Sequence, residues 1–462
     1  MLPVSNYCKG PAGRVNRYPL VKFDGKVIGA ALLGLALLLG GGSLRFPFTR
    51  LIVEVASAGV LVWYALRGWR APVDRWSAAA ILLVLLILAL PLVQLVPLPP
   101  SIWTALPGRG DAASIIDAAG LAPRWMPISL QPDATRLAAA YLIPPITMFI
   151  VTLHANRAQR VLYGWVIVAM ALAGALLGLL QAGGSQGFYL YNVGRYTAAT
   201  GFFANKNHHA DLLLIGILLA AGLASTGRRL GLKSPPTLMV AGAIAVLALA
   251  VPAANSRMGL LMLPIAVVAA ALLLAPRKYV HRLRPRDAAI AAAVLGSLAV
   301  VGASSGVVSR LLDRFGGDPD ARLKFWPDVV TAISEYQPIG SGLGSFIKIF
   351  QRHESMSTLD FTYVFHAHND VMEIALEAGW AGIALIVFAV LLWLAGVWRV
   401  LRPSAWQAFT PMHLACILGV AILAGHSLVD YPLRTLGLAC VLAFLAGCLA
   451  PAAADGTSQA KG

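Results

Sequence analysis

The chain repeatedly presents apolar stretches that are long enough to cross a lipid bilayer as helices. A hydrocarbon core about 30 Å thick takes about 20 helical residues. Twelve stretches reach or approach that length: residues 26–43, 51–66, 76–95, 137–153, 161–181, 210–226, 237–252, 259–275, 287–304, 371–396, 411–428 and 435–451. They do not alternate between apolar and polar residues, as the strands of a membrane barrel would. Only 12% of all residues are charged, against about 25% in soluble proteins. The sequence therefore predicts an all-α polytopic membrane protein with about twelve transmembrane helices.

Basic residues in the short loops predict the orientation of these helices. Lysine and arginine favour the cytoplasmic side when they flank a span or lie in a short loop. Compact basic sets occur at residues 67–75 and 277–286, which puts both loops in the cytoplasm. Counting spans from there, we expect the tails 1–25 and 452–462 to be cytoplasmic in an inner membrane. The net charge of +16 is spread over such loops and does not predict nucleic-acid binding.

The same orientation gathers the long polar loops on the outer, periplasmic side. These loops are residues 96–136, 182–209 and 305–370, and the last lies between the ninth and tenth spans. The first is rich in proline and contains tryptophan, which predicts a packed cap or an interfacial re-entrant segment. Residues 321–336 follow a helical pattern and precede a proline- and glycine-rich turn, so we expect a helix there. Residues 26–451 are interpreted as one membrane domain.

Polar and ionisable side chains cluster at the outer ends of several predicted spans. Such groups cost about 2.5–3.5 kcal/mol each at bilayer depth, so they persist where they face a cavity or a partner. The clusters are residues 201–209, 255–257, 322–326, 366–377 and 426–434. Because they are distant in sequence yet expected on one membrane face, they predict a single one-sided site.

The basic residues of these clusters admit two interpretations. Lys206, Lys324 and Arg434 are as compatible with side chains that reach the headgroup region as with a functional role. Arg257 lies in a short link between two spans, on the side where positive charge is disfavoured. An anionic partner would account for this position, so we interpret Arg257 as a binding residue.

Two histidines before the tenth predicted span suggest acid–base chemistry. We expect the helix to begin near Asn369, which leaves His368 at the junction of loop and helix. An imidazole exposed there to an outer cavity could act as a general base. A helix beginning at His366 would instead align that residue with the acidic residues four, seven and eleven positions later. A capping or interfacial role for His368 is the alternative.

Neither a metal site nor a disulfide is predicted. His366 and His368 have the His-x-His spacing of some metal sites, but a third ligand would have to come from a distant segment. The four cysteines have no zinc-site spacing, and none lies in an outer loop. We therefore expect no metal and no cofactor.

Several segments of the second half carry a family resemblance. They are residues 203–210, 256–259, 322–326, 338–346 and 430–433, together with His368 and Asn369 followed at fixed spacing by Gly379 and Gly382. Over about residues 195–435, the chain resembles the bacterial O-antigen ligase and polysaccharide polymerase superfamily.

The resemblance implies a GT-C-like membrane glycosyltransferase. Such an enzyme moves a glycan from an undecaprenyl diphosphate carrier to an acceptor hydroxyl at the periplasmic face. The family's essential histidine corresponds to His368 and its basic pair to Arg257 and Arg322, and we add Lys206 as a diphosphate-binding residue. The other polar motif residues are expected to support the site: Asn205, Asn207, His366, Asn369, Glu373, Glu377 and Asp430. Arginines can hold phosphate oxygens without a metal, and direct attack by the acceptor predicts inversion.

The sequence leaves several alternatives open. A ligase would pass a finished glycan to lipid A core or another acceptor, and a polymerase would extend O-antigen or exopolysaccharide chains. A lipid-linked glycan flippase or polysaccharide transporter is the alternative from another class, and it would need charged residues along its spans. The expected partners are the lipid-linked donor, a glycan or lipid A core acceptor and membrane lipid, with a chain-length regulator as a further candidate. The choice between His366 and His368 as the base is also open.

Overall fold

The computed structural model describes residues 25–42, 46–67, 74–122, 124–184, 186–191, 198–229, 231, 233–275, 321–359, 363–402 and 411–452. Within these ranges helices dominate, and one pair of two-residue strands is the exception. Eight candidate membrane spans lie within the described ranges: seven are single helices, and the eighth, Pro132–His154, consists of two consecutive helices. Three shorter apolar helices accompany them. The prediction of an all-α polytopic membrane protein is confirmed.

The helices of the described ranges follow the predicted spans closely. In chain order they are α1 (Gly25–Leu39), α2 (Pro47–Leu66), α3 (Arg75–Gln94), α4 (Pro100–Trp103), α5 (Gly110–Ala118), α6 (Pro132–Tyr141), α7 (Ile143–His154), α8 (Arg157–Ala182), α9 (Lys206–Arg229), α10 (Thr237–Ala254), α11 (Arg257–Leu274), α12 (Ala321–Tyr336), α13 (Phe346–His353), α14 (Asp370–Leu401), α15 (Pro411–His426) and α16 (Leu436–Gly447). The span predicted at 137–153 is divided between α6 and α7, where Pro144 and Pro145 supply no N–H group. The ninth predicted span, 287–304, and most of both tails lie outside the described residues.

Helix α9 occupies the centre of the bundle. Every residue from Asn207 to Gly227 is buried, and α8, α10, α11 and α15 pack around it. Small residues allow this close packing, as they do in membrane helices generally. A methyl group added at Gly216 would lie 2.7 Å from the Ala171 side chain. The helix begins at Lys206, so the last residues of the loop predicted at 182–209 are in fact its first turn.

The loop predicted at residues 96–136 forms a packed cap. Its two strands, β1 (Pro97–Leu98) and β2 (Met126–Pro127), pair antiparallel. Arg109 is fully buried and donates hydrogen bonds to the carbonyls of Ile128 at 2.5 Å and Gly340 at 2.9 Å. Burial lowers the pKa of Arg109 to about 10, which leaves the guanidinium charged at neutral pH. This cation therefore joins the loop predicted at 96–136 to the loop predicted at 305–370.

The described part of the loop predicted at 305–370 has a core of its own. Helix α12 coincides with the predicted helix at 321–336, and α13 follows it. Phe325, Tyr336 and Phe350 belong to a hydrophobic cluster separate from the main one. This small core holds α12 and α13 against the beginning of α14.

The beginning of α14 is fixed by a cap and by one glycine. Asn369 accepts hydrogen bonds from the N–H groups of Val371 and Met372 at 3.0 Å, which confirms the predicted start near Asn369 and satisfies N–H groups of the first turn. Farther along, Gly379 has φ 58°, a left-handed conformation that glycine adopts without cost. A methyl group there would lie 2.1 Å from the Pro338 carbonyl oxygen. The turn at Pro338 can therefore pack directly on α14.

Candidate functional site

His368 lies at the junction between the loop predicted at 305–370 and α14. Its φ is 51°, a region that non-glycine residues rarely adopt and that occurs preferentially at functional sites. Its Nδ1 lies 3.1 Å from Oδ1 of Asp430. Because a carboxylate only accepts, Nδ1 carries the proton and neutral imidazole has its lone pair on Nε2. The side chain is 30% exposed, so Nε2 can meet a ligand.

Asp430 is fully buried and is held from several directions. Its Oδ2 accepts hydrogen bonds from Asn207 at 2.5 Å and Asn205 at 3.3 Å. Burial opposes ionisation, but the hydrogen bond from His368 and the nearby imidazoles of His208 and His426 keep the pKa of Asp430 below its ordinary value. The residue is therefore a carboxylate at neutral pH and favours a protonated Nδ1 on His368.

Tyr431 is the aromatic centre of the site. Its ring lies 4.2 Å from that of His366, 4.8 Å from that of His368 and 5.1 Å from that of His208. Burial and the neighbouring carboxylate of Asp430 raise the pKa of Tyr431, so its hydroxyl stays protonated. The tyrosine packs three histidines from two chain segments together.

His366 differs from His368 in partner and exposure. Its Nδ1 lies 2.9 Å from Oε1 of Glu373, and the other oxygen of Glu373 accepts from the Ala367 N–H at 2.9 Å. His366 is buried, whereas His368 is partly exposed. The two histidines thus have separate carboxylate partners. Among the described residues, no group of three or more histidine, cysteine or acidic side chains is arranged to hold a metal ion.

The acidic residues at the start of α14 converge on Arg434. Its guanidinium lies 3.0 Å from Glu377, 3.5 Å from Glu373 and 3.7 Å from Asp370. Burial opposes the charge of Arg434, yet these three carboxylates raise its pKa above the ordinary value. This ion-pair cluster argues against one of the two interpretations left open for Arg434, a side chain that extends towards the headgroups.

The predicted diphosphate-binding residues lie at helix beginnings. Lys206 is the first residue of α9 and Arg257 the first of α11. These two helix ends are neighbours, since a methyl group at Gly259 would lie 2.8 Å from that of Ala210. Arg322, in the first turn of α12, donates a hydrogen bond to the Val429 carbonyl, next to Asp430. The N-terminal ends of three helices, α9, α11 and α14, are therefore gathered near Asp430, and such ends favour anions.

Several polar groups at the site were not assigned a role from the sequence. Besides Tyr431 and Arg434, these include Gln94 of α3, whose side chain bonds the Glu377 carbonyl and the Leu343 N–H, both at 2.9 Å. Asp211 of α9 pairs with His426 at 2.6 Å. A lone carboxylate within an apolar span was the available signal for Asp211, since such residues are rarely without function.

A large apolar cavity adjoins the site. Its volume is about 880 Å³, and its walls come mainly from α3, α6, α7, α14, α15 and α16. His366, Glu373 and Arg434 line its polar end, and Trp393 lines it farther along α14. Gly382 and Trp393, which both line the cavity beyond the break in α14 at Gly379, are about 16 Å apart along a helix that rises about 1.5 Å per residue. The cavity thus follows about three turns of α14 beyond its polar end.

Fold and site together define a polytopic membrane protein whose histidine–carboxylate pair and basic residues meet at one end of the helix bundle. Residues 242–387 match the family model described as O-antigen ligase. Over these residues the resemblance to the O-antigen ligase and polysaccharide polymerase superfamily, inferred from the motifs, is confirmed. The matched segment contains Arg257, Arg322 and His368, whereas Asn205, Asn207 and Asp430 lie outside it. A comparison with curated proteins found no match.

Proposed function

We propose that this protein transfers a glycan from an undecaprenyl diphosphate carrier to an acceptor hydroxyl, at the periplasmic face of a bacterial inner membrane. The observation that carries the proposal is the hydrogen bond between partly exposed His368 and buried Asp430. In the proposed reaction, Nε2 of His368 takes the proton of the acceptor hydroxyl. The carboxylate orients the imidazole and stabilises the charge that forms on it.

The leaving group is the second element of the proposal. As the acceptor oxygen bonds to the anomeric carbon, the bond from that carbon to the diphosphate oxygen breaks, and its electron pair stays with the carrier diphosphate. Arg257, Arg322 and Lys206 are the proposed ligands of this diphosphate. Their positive charges and the adjacent helix ends would stabilise the developing negative charge. No step requires a metal ion, and direct attack without an enzyme nucleophile inverts the anomeric configuration.

The apolar cavity supports a lipid-linked substrate. A polyprenyl chain needs a long apolar environment beside a polar reaction centre. The cavity of about 880 Å³ has that form, with His366 at its polar end. We propose that it accommodates the carrier chain within reach of the site.

The distribution of buried charge favours a one-sided enzyme over a flippase or transporter. Asp370, Glu373 and Glu377 lie within the first turns of α14, and Asp211 lies near the start of α9. A transport pathway would need polar groups along the depth of the membrane. The proposed acceptor is a sugar hydroxyl of lipid A core or of another carrier-linked glycan, corresponding to a ligase or a polymerase.

Purified protein in lipid vesicles provides the direct test. With an undecaprenyl diphosphate-linked glycan as donor, we expect transfer to continue in excess EDTA and the product linkage to have the anomeric configuration opposite to the donor's. Product anomers are assigned by NMR. Loss of transfer on chelation that Mn²⁺ restores, or a retained configuration, would contradict the proposed chemistry.

Asp430→Asn tests the role of the carboxylate separately. The amide keeps the size of the side chain but removes the charge that favours protonated Nδ1 and a stabilised imidazolium. We expect kcat to fall by roughly 10²-fold, because a misplacement of about 1 Å at a reacting group can cost about that factor. The KM for the donor should change little, since Asp430 is buried and does not contact the diphosphate in the proposed arrangement. Steady-state kinetics in vesicles measure both constants, and an unchanged kcat would exclude the role.

A further inference from the structure

A second histidine–aspartate pair lies behind the first one. Nδ1 of His426, the last residue of α15, is 2.6 Å from Oδ1 of Asp211 in α9. Both side chains are essentially inaccessible to solvent, at 1% and 0% exposure. The other oxygen of Asp211 has no hydrogen-bond partner among the described residues. The contact with His426 is therefore the polar link by which Asp211 joins α9 to α15.

This pair is connected to Asp430 on both sides. The carbonyl of His426 accepts hydrogen bonds from the N–H groups of Val429 at 2.9 Å and Asp430 at 2.8 Å. One helical turn before Asp211, Asn207 donates to the Asp430 carboxylate at 2.5 Å. The end of α15 thus holds the backbone of Asp430, and the start of α9 holds its side chain. The hydrogen bond between Asp211 and His426 joins those two helices.

We propose that Asp211 and His426 are positioning residues, which fix Asp430 and through it the catalytic imidazole of His368. The inference rests on the proposed transferase function. Without the pair, the ends of α9 and α15 can separate, and the turn that carries Asp430 moves relative to His368. A misplacement of about 1 Å at a reacting group can cost about 10²-fold in rate. The charged and titratable groups facing the pair are Asp430, His208 and Arg322.

Leucine and amide variants separate geometry from charge. Asp211→Leu and His426→Leu each replace one partner with an apolar side chain and so remove the hydrogen bond. We expect each to lower kcat by roughly 10- to 100-fold with little change in the KM for the donor. Asp211→Asn keeps an acceptor for the His426 N–H group, so it should remain within about 3-fold of the wild type. If Asp211→Leu does not fold, His426→Leu, which leaves α9 unaltered, provides the same comparison.

Thr226→Val is the matched control. The Thr226 hydroxyl accepts from the Met412 N–H at 2.9 Å, so it also joins α9 to α15, but at the opposite ends of both helices. Its loss should lower thermal stability while kcat stays at the wild-type level. An equal fall in kcat for Thr226→Val would mean that any weakening of the helix contact impairs the enzyme, and the proposal would be wrong.

A double-mutant cycle tests whether the pair acts through Asp430. In the Asp430→Asn background, adding His426→Leu should lower kcat by less than about 3-fold, because effects that pass through a shared residue are not additive. Fully additive losses would overturn the inference. If wild-type protein transfers glycan and His368→Ala does not, such additivity would leave the proposed function intact.

Hydrogen exchange gives a readout that needs no activity. The N–H groups of Val429 and Asp430 donate to the backbone carbonyl of His426, and this turn should loosen when the ends of α9 and α15 separate. A peptide covering residues 427–431 should therefore exchange faster in Asp211→Leu and His426→Leu than in the wild type or in Thr226→Val. Unchanged protection of this peptide would refute the positioning role even if the protein had a different activity.

Discussion

Replacing His368 with alanine should lower glycan transfer by roughly 10²- to 10⁴-fold, the contribution that a positioned general base commonly makes. A sugar hydroxyl is a weak nucleophile until its proton is removed, and His368 combines a buried carboxylate partner with an exposed side chain. His366 offers less, because its ring is buried against Tyr431 and bonded to Glu373. The rate is measured with purified protein and a carrier-linked donor.

The matched control for this substitution is His353→Ala. His353 belongs to the same loop, predicted at 305–370, but its ring pairs with Glu335 of α12 at 2.7 Å, so transfer should be unaffected. In cells that depend on the protein, His368→Ala should be produced at the wild-type level by immunoblot. Accumulation of single repeat units on the carrier then identifies a polymerase, and accumulation of long carrier-linked chains identifies a ligase. An unchanged pool of carrier-linked glycan would show that His368 is not the general base.

Local sequence signals were sufficient where one segment determines its own conformation. Helix α12 was predicted from its periodicity, and the start of α14 from an asparagine that caps the first turn. The spans followed from apolar length, because a helix satisfies its own backbone groups in lipid whatever its neighbours are. The division between α6 and α7 was missed, although Pro144 and Pro145 were visible in the sequence.

The partners within the site could not be predicted in the same way. His368 and Asp430 are 62 positions apart, and no local pattern gives the register in which α9, α14 and α15 pack. Gln94 could not be predicted for the same reason. It lies in the first part of the chain, which carried no motif, yet its side chain donates to the Glu377 carbonyl. The motifs indicated which residues would gather at one end, and only the packed helices define which of them touch.

Arg434 should be the least replaceable charge in this assembly. Arg434→Met is expected to lower the free energy of unfolding by about 3–5 kcal/mol, because it leaves buried carboxylates without their cation. Asp370, Glu373 and Glu377 are all nearly inaccessible to solvent. With Arg434 gone they repel one another where water cannot screen them. Denaturant titration in detergent micelles measures the loss.

A second substitution shows whether Arg434→Met lowers stability through unpaired carboxylates or through lost side-chain volume. Adding Glu377→Gln to Arg434→Met removes one of the repelling charges while keeping the shape, so part of the stability should return. Arg136→Ala is the control, because its ion pair with Asp133 is exposed on both sides, and exposed pairs contribute little. If Arg434→Met were as mild as Arg136→Ala, the three carboxylates would not depend on this cation. Glu373 would then hold the His366–His368 segment through its own hydrogen bonds, without Arg434. The backbone, and not this cation, would support the site.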